Sequence, residues 1–205
     1  MYKEFLAAAA IVLTFVMFVP YIRSIRGGRT KPHAFSWIVW GLATFVVFLA
    51  QLADRGGSGA WPIGVSGVIT GYIAVLAYRG RADTSITKVD WVSLAIALAA
   101  LPCWLVTSNP LVAVVLLTGT DLAGFVPTFR VAFLRPHEEH IGFYSLGALR
   151  NALAICALEH YSLTTVLFPA AVGIACVLFV AMVGYRRAQL RVRRERTDPA
   201  SDPGS

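Results

Sequence analysis

Two charged side chains stand inside stretches that are otherwise apolar, and they are the residues of this chain most suited to chemistry. Asp121 lies in the run 117–124, and Arg150 precedes Asn151 in the next apolar run. A charge within hydrocarbon is costly unless it is paired or hydrated. We therefore expect Asp121, Arg150 and Asn151 to face the interior. The two apolar runs are consecutive, and their helices are expected to be antiparallel neighbours, which predicts an Asp121–Arg150 pair. The pair is either a structural ion pair or part of a site that binds a solute or couples protons, with a snorkelling side chain or a wrongly assigned span as the remaining alternatives.

A second feature is a weak internal repeat. Val19-Pro20-Tyr21-Ile22-Arg23 returns as Val126-Pro127-Thr128-Phe129-Arg130, in each case at the end of an apolar run. Alignment of the two prolines without a gap places Arg23 on Arg130, His33 on His140, Trp37 on Tyr144 and Thr44 on Asn151. Repeats of this kind within a chain of apolar segments are typical of transporters built from duplicated helix bundles.

The two prolines of the repeat are candidate hinges. Proline has no amide hydrogen, so Pro20 and Pro127 leave the carbonyls of Val16 and Ala123 without their helical partners. Equivalent positions in two copies favour paired hinges at a gate, and a plain helix kink is the alternative.

Further candidates for contact with a solute come from the second and third apolar runs. Trp37 and Trp40 share a helix face, which Thr44 extends. Trp37 is close to the expected interface, where an aromatic belt is the default interpretation. Trp40 is one turn deeper, where an aromatic ring can stack on a sugar or a heteroaromatic ring, and Thr70 adds a hydroxyl from the third run. Gln51 is expected at the membrane interface, with a role in an outer gate as the alternative.

The composition indicates the elements that must position these residues. The chain has 205 residues, of which 57% are hydrophobic and 14% charged, and its mean hydropathy is +0.67. Apolar runs without strict alternation, in a chain this poor in charge, predict an all-α polytopic membrane protein. The predicted spans are seven transmembrane helices at 5–22, 35–53, 61–78, 91–106, 111–133, 141–158 and 163–185.

The distribution of charge predicts the orientation. Basic residues fill the first, third and fifth connectors and the tail, whereas the opposite side has only Lys3 and Arg55. The positive-inside rule then predicts a multi-pass protein of the cell membrane with the N-terminus outside and the C-terminus in the cytoplasm. The same distribution argues against nucleic acid as a partner, and it predicts that the tail contacts anionic lipid.

The repeat and the span count together predict four parts. Residues 1–80 form the first three-helix bundle, 81–108 a linker helix, 109–186 the second three-helix bundle, and 187–205 a basic cytoplasmic tail that is expected to be disordered. A copied unit with an odd number of spans would insert upside down, and one extra helix restores the parallel orientation.

This plan of three, one and three helices, with a proline near the end of the first and fifth, resembles the PQ-loop superfamily, which includes the SWEET sugar transporters. The glutamine of that family's motif is replaced, since Tyr21 follows Pro20 and Thr128 follows Pro127. Vitamin transporters of the nicotinamide riboside type are similar in plan. The segment Lys31-Pro32-His33-Ala34-Phe35-Ser36-Trp37 resembles uncharacterised bacterial relatives, which imply no particular substrate.

The sequence thus predicts a small-molecule transporter or facilitator with alternating access around a polar cavity at mid-depth. The alternatives are an integral membrane enzyme of the cyclase type, with acid–base chemistry at Asp121, and a cargo receptor or scaffold. No cofactor is expected, and no metal, because His137 and His140 lack the spacing of a metal helix. His33 and His140 are either pH sensors or solvated side chains. The substrate, the coupling to protons and the oligomeric state stay open, and an oligomer is compatible with the sequence.

Overall fold

A computed structural model describes residues 1–29, 32–80, 88–137 and 141–197, without the side chains of 127, 131 and 192–197. These residues form helices and no strand. The helices are α1 (Tyr2–Arg26), α2 (Ala34–Ala53), α3 (Trp61–Arg79), α4 (Lys88–Thr107), α5 (Pro110–Leu134), α6 (Ile141–Cys156) and α7 (Leu163–Thr197). A short 3-10 turn, Gly57–Ala60, precedes α3.

The helices have the length and composition of membrane spans. Within the described ranges, six helices are long and apolar enough to cross a bilayer, and α6 is an apolar helix of 16 residues. A helix of that length extends about 24 Å, less than the hydrocarbon thickness of about 30 Å. The helices of the described residues confirm the all-α class. Their length and apolar composition are compatible with a polytopic membrane protein.

Several helix ends depart from the predicted spans, and α1, for example, extends beyond 5–22 at both ends. α6 stops at Cys156 because the chain turns tightly there, with the Leu158 amide donating to the Ile155 carbonyl at 3.0 Å. α7 continues as far as Thr197, so residues 187–197 of the basic tail are helical rather than disordered. Residues 198–205 lie outside the described part of the chain.

The packing order of the helices differs from their order in the chain. α3 packs against both α1 and α2, and α7 packs against both α5 and α6. Between these groups α1 packs on α6, and α2 packs on α5. When α1, α2 and α3 are exchanged for α5, α6 and α7, this set of main contacts is unchanged. α4 packs on α5 and α2.

This order overturns one sequence-based expectation. Asp121 and Arg150 were expected to pair because α5 and α6 follow one another and should be adjacent. The main packing partner of both helices is instead α7, and α5 and α6 have no substantial contact. Any interaction between the two charges must therefore take place across a space between helices.

One end of the bundle is closed by hydrogen bonds between two connectors. We call it the amino end, since it holds the start of α1 together with the α2–α3 and α6–α7 connectors. The Lys3 Nζ donates to the Leu158 carbonyl at 2.7 Å, and the Glu159 amide donates to the Gly56 carbonyl at 3.1 Å. The Ser58 hydroxyl donates to the carbonyl of residue 157 at 3.0 Å.

Ionisable groups add to the closure of the amino end. The Ser162 hydroxyl donates to the Asp54 carboxylate, and the His160 Nδ1 lies 3.8 Å from that carboxylate. A glycine permits the close approach of the backbones. A Cβ at Gly59 would lie 2.5 Å from the Leu158 amide nitrogen, a distance that excludes any side chain. The two connectors therefore pack backbone against backbone.

Candidate solute-binding cavity

A cavity of about 810 Å³ lies among six of the seven helices. Its walls come from α1, α2, α3, α5, α6 and α7, and α4 contributes no lining residue. The residues that the sequence predicted to contact a solute all line it: Trp37, Trp40, Thr44, Thr70, Asp121, Arg150 and Asn151. The volume is in the range of small-molecule sites, which are mainly apolar with a few placed polar groups.

Arg150 is the buried cation of the cavity, with 6% of its surface exposed. Its Nη2 donates to the Asn151 Oδ1 at 2.8 Å, and the Asn151 Nδ2 donates to the Gly147 carbonyl at 2.9 Å. Asn151 thus ties the guanidinium to the backbone of α6. The Arg150 Nε is buried and has no hydrogen-bond partner in the described part of the chain. Such a donor is costly to bury unpaired, which is typical of a functional site.

Asp121 is the anion of the same cavity and is partly exposed to it. Its carboxylate makes no hydrogen bond or ion pair with any described residue. Asp121 and Arg150 carry opposite charges and line the same cavity, so they attract one another. The structure thus places the two charges in one cavity without the direct ion pair that the sequence favoured.

Aromatic rings line the cavity away from the amino end. Tyr21 of α1 stacks on Trp37 of α2 with ring centroids 5.2 Å apart. The Phe18 ring meets Trp37 edge to face at 6.4 Å and Phe143 of α6 at 6.0 Å. Trp40 is perpendicular to Trp37 at 5.5 Å. Trp37, for which an interfacial belt was the default interpretation, therefore belongs to an aromatic wall of the cavity.

The hydroxyl residues lie deeper in the cavity and are buried. Thr70 is 5% and Thr44 8% exposed. The Thr70 hydroxyl donates to the Ser66 carbonyl at 2.7 Å within α3. Its oxygen still has a lone pair for a solute, so Thr70 can act there as an acceptor.

Of the two candidate hinge prolines and the two repeat-related histidines, the structure describes only some. Pro20 lies inside α1, is exposed and borders the cavity. Pro127 lies within the bounds of α5, but its side chain is outside the described part of the structure. The His33 Nδ1 is 2.8 Å from the Ser36 hydroxyl at the start of α2. His140, its partner in the repeat, is outside the described residues.

The lining of the cavity follows the spacing of the internal repeat. Pairs separated by the same interval as Pro20 and Pro127 line it from both copies: Met17 and Gly124, Phe18 and Phe125, Tyr21 and Thr128, Trp37 and Tyr144, Trp40 and Gly147, and Thr44 and Asn151. Each copy therefore presents the same helix faces to the cavity. The interval also relates Pro62 of α3 to Pro169 of α7.

Sequence reasoning missed part of the aromatic wall. Phe18, Tyr21, Phe143 and Tyr144 all line the cavity and were not selected. Two signals were available in the repeat. Tyr21 directly follows the repeated proline, and Tyr144 aligns with Trp37. Phe143 carried no such signal, because it aligns with Ser36, which is not aromatic.

Comparison with known proteins does not assign the chain to a family or suggest a role for the cavity. No protein-family model, no curated protein and no solved structure matches the chain.

Proposed function

We propose that the chain is a small-molecule transporter or facilitator of the cell membrane, with alternating access to the cavity between α1–α3 and α5–α7. The observation that carries this proposal is the convergence of the predicted polar residues from four helices on a single cavity of about 810 Å³. Buried charge in a membrane protein is retained mainly where it serves a solute or ion path. The aromatic wall beside it supplies surface for an organic solute.

The arrangement of contacts supports a duplicated transporter. The main helix contacts are unchanged when the first three helices are exchanged for the last three. Repeat-related residues also face one cavity, as expected for two bundles related by a pseudo-two-fold axis along the membrane normal. In this proposal α4 is the linker that restores the parallel orientation. The similarity to the PQ-loop and SWEET plan belongs to the same proposal.

The two ends of the bundle differ in a way that supports alternating access. Hydrogen bonds join the connectors at the amino end, and Gln51 of α2 bonds α7 just beneath them. Away from that end the cavity reaches Pro20, Ser24 and Thr128, of which Pro20 is exposed and the others are partly exposed. The structure thus corresponds to a state that is closed at the amino end, and bending at Pro20 and Pro127 would convert it to the opposite state.

The distribution of charge supports an inward-facing assignment for this state. The positive-inside rule places the amino end outside and the arginine-rich end of α7 in the cytoplasm. There Arg186 and Arg187 donate to the carbonyls of Phe133 and Pro136 at 3.3 and 2.9 Å, which joins α7 to the end of α5. Anionic lipid is the proposed partner of this basic surface. Reporter fusions at the two termini test the orientation.

Solute flux into proteoliposomes tests the proposal. Purified protein is screened by thermal shift against sugars, nucleosides, vitamins and amino acids, and each hit is followed as radiolabelled uptake. Thr128→Trp, at the edge of the cavity, should abolish uptake. Val126→Trp is the matched control, since Val126 lies on the same helix, is 67% exposed and does not line the cavity.

The same assay distinguishes the alternatives. An enzyme would convert a bound compound without moving it across the bilayer, and a scaffold or receptor would bind without flux in either variant. An imposed pH gradient then separates proton coupling from uniport, because only a coupled transporter accumulates solute against its own gradient. Equal uptake by Thr128→Trp and Val126→Trp would overturn the proposed path.

A further inference from the structure

Arg150 offers the cavity hydrogen-bond donors that the protein does not use. Its Nη2 is engaged by Asn151, and its Nε is buried with no partner among the described residues. No hydrogen bond to its Nη1 occurs there either. A guanidinium pairs favourably with a carboxylate. A carboxylate of a solute can accept from Nη1 while Asn151 accepts from Nη2.

Asp121 offers the complementary acceptor in the same cavity. Asp121 is partly exposed and lines the cavity, and its carboxylate accepts no hydrogen bond from a described residue. A solute with only a negative charge would pair Arg150 and repel Asp121. A solute with only a positive charge would do the reverse. A molecule that carries both charges can pair with both side chains, which matters because an uncompensated charge in a dry site is costly.

The aromatic wall of the cavity favours a solute that carries a planar ring in addition to its two charged groups. Phe18, Tyr21, Trp37 and Phe143 form a continuous set of ring contacts along one side of the cavity, with centroid separations between 5.2 and 6.4 Å. Aromatic rings bind a further ring by offset or edge-to-face contact. A planar ring on the solute would therefore contact this wall while its charged groups reach Asp121 and Arg150.

We infer that the cavity binds a zwitterion with an aromatic side chain, of the chemical class of an aromatic α-amino acid, with its ammonium group at Asp121 and its carboxylate at Arg150. The inference rests on the proposed function and narrows its substrate class. The geometry involves no covalent step. Asn151 positions the guanidinium, and the ring lies on the wall formed by Phe18, Tyr21, Trp37 and Phe143.

Calorimetric binding of three compounds with one ring system tests the charge requirement. L-tryptophan carries both charges, tryptamine only the ammonium and indole-3-propionate only the carboxylate. The purified protein should bind tryptophan about tenfold to a hundredfold more tightly than either of the others, because each of them lacks one charged hydrogen-bonding group. Equal affinity for all three, or preference for glucose or uridine, would overturn the inference.

Substitution of the two charges should reverse the preference. Asp121→Asn should bind indole-3-propionate at least as tightly as tryptophan, and Arg150→Gln should do the same for tryptamine. Glu4→Gln and Arg55→Gln are controls that change the net charge equally at exposed positions outside the cavity. A merely structural role would weaken all three compounds together. Asp121→Asn is the primary variant, since it removes no hydrogen bond to a described residue. If Arg150→Gln does not fold, the affinities of the wild-type protein for the three compounds test the inference.

Flux measurements separate this inference from the proposed function. Tryptophan that binds but is not carried into proteoliposomes would refute transport and leave the ligand class intact. Uptake of another solute, with no tryptophan binding, would refute the ligand class and leave transport intact.

Discussion

The side-chain amide of Gln51 donates from Nε2 to the carbonyl oxygen of Thr165 at 2.7 Å, which joins α2 to α7. Pro169 explains why that carbonyl is open. In a helix the Thr165 carbonyl would accept from the amide of residue 169, and proline has no amide hydrogen. Gln51, which is fully buried, supplies the missing donor. A glutamine that the sequence placed at the interface thus stabilises the closed amino end.

The energetic cost of losing the hydrogen bond from Gln51 to the Thr165 carbonyl should depend on Pro169. Gln51→Leu leaves the buried Thr165 carbonyl without a donor, so the free energy of unfolding in mixed micelles should fall by about 1–3 kcal/mol. In a Pro169→Ala background residue 169 donates to that carbonyl, and the same substitution should then cost less. Equal costs in both backgrounds would contradict this account. Gln189→Leu, at an exposed position, should change the free energy by no more than about 0.5 kcal/mol.

Gly59 should be the most restrictive position of the amino end. A Cβ there would lie 2.5 Å from the Leu158 amide nitrogen and 2.7 Å from the Ala154 carbonyl oxygen, and backbone atoms cannot move aside as a side chain can. Gly59→Ala should therefore push the two connectors apart and cost about 1–3 kcal/mol. Thermal unfolding in detergent measures the cost. Increased labelling of a cysteine introduced at Ser58 would report the opening, and an unchanged melting temperature would refute the close contact.

Trp40 lies over Gly124 at the junction of α2 and α5. A Cβ on Gly124 would be 3.3 Å from the indole Nε1. The ring borders the cavity and can shift into it, so Gly124→Ala should leave stability nearly unchanged and weaken solute binding by narrowing the space. Gly119→Ala is the matched control on the same helix, because a Cβ at Gly119 meets nothing within 4 Å. Equal affinities for the two variants would show that Trp40 does not border the bound solute.

Met17 and Gly147 form the counterpart of that contact in the other interface. Met17 aligns with Gly124 and Gly147 with Trp40, and a Cβ on Gly147 would be 3.4 Å from the Met17 methyl group. In both interfaces a large residue of the first copy therefore covers a glycine of the second. Gly147→Ala should destabilise the fold less in a Met17→Ala background, with a coupling energy of roughly 0.5 kcal/mol or more in a double-mutant cycle. Gly142→Ala, with nothing within 4 Å, should show no coupling.

The repeat was the most informative part of the sequence for the site. Thr44 and Asn151, aligned only by the prolines, both line the cavity, as do Trp37 and Tyr144. The sequence did not indicate that Asp121 and Arg150 would share a cavity without an ion pair. Their separation depends on α7 lying between α5 and α6, and a linear pattern contains no information about which non-consecutive helices touch.

The sequence by itself determined the number and approximate bounds of the helices, because hydropathy and helix-ending residues act within a few turns of the chain. It also identified the polar positions that had to avoid lipid. Only the tertiary structure decided which helices are neighbours, because that choice depends on how side chains from distant segments fit, as Trp40 fits over Gly124 and the α2–α3 connector fits on Leu158. The cavity is the space that remains between the packed helices. The polar residues that line it come from segments that are distant in the sequence, so only the folded structure brings them together.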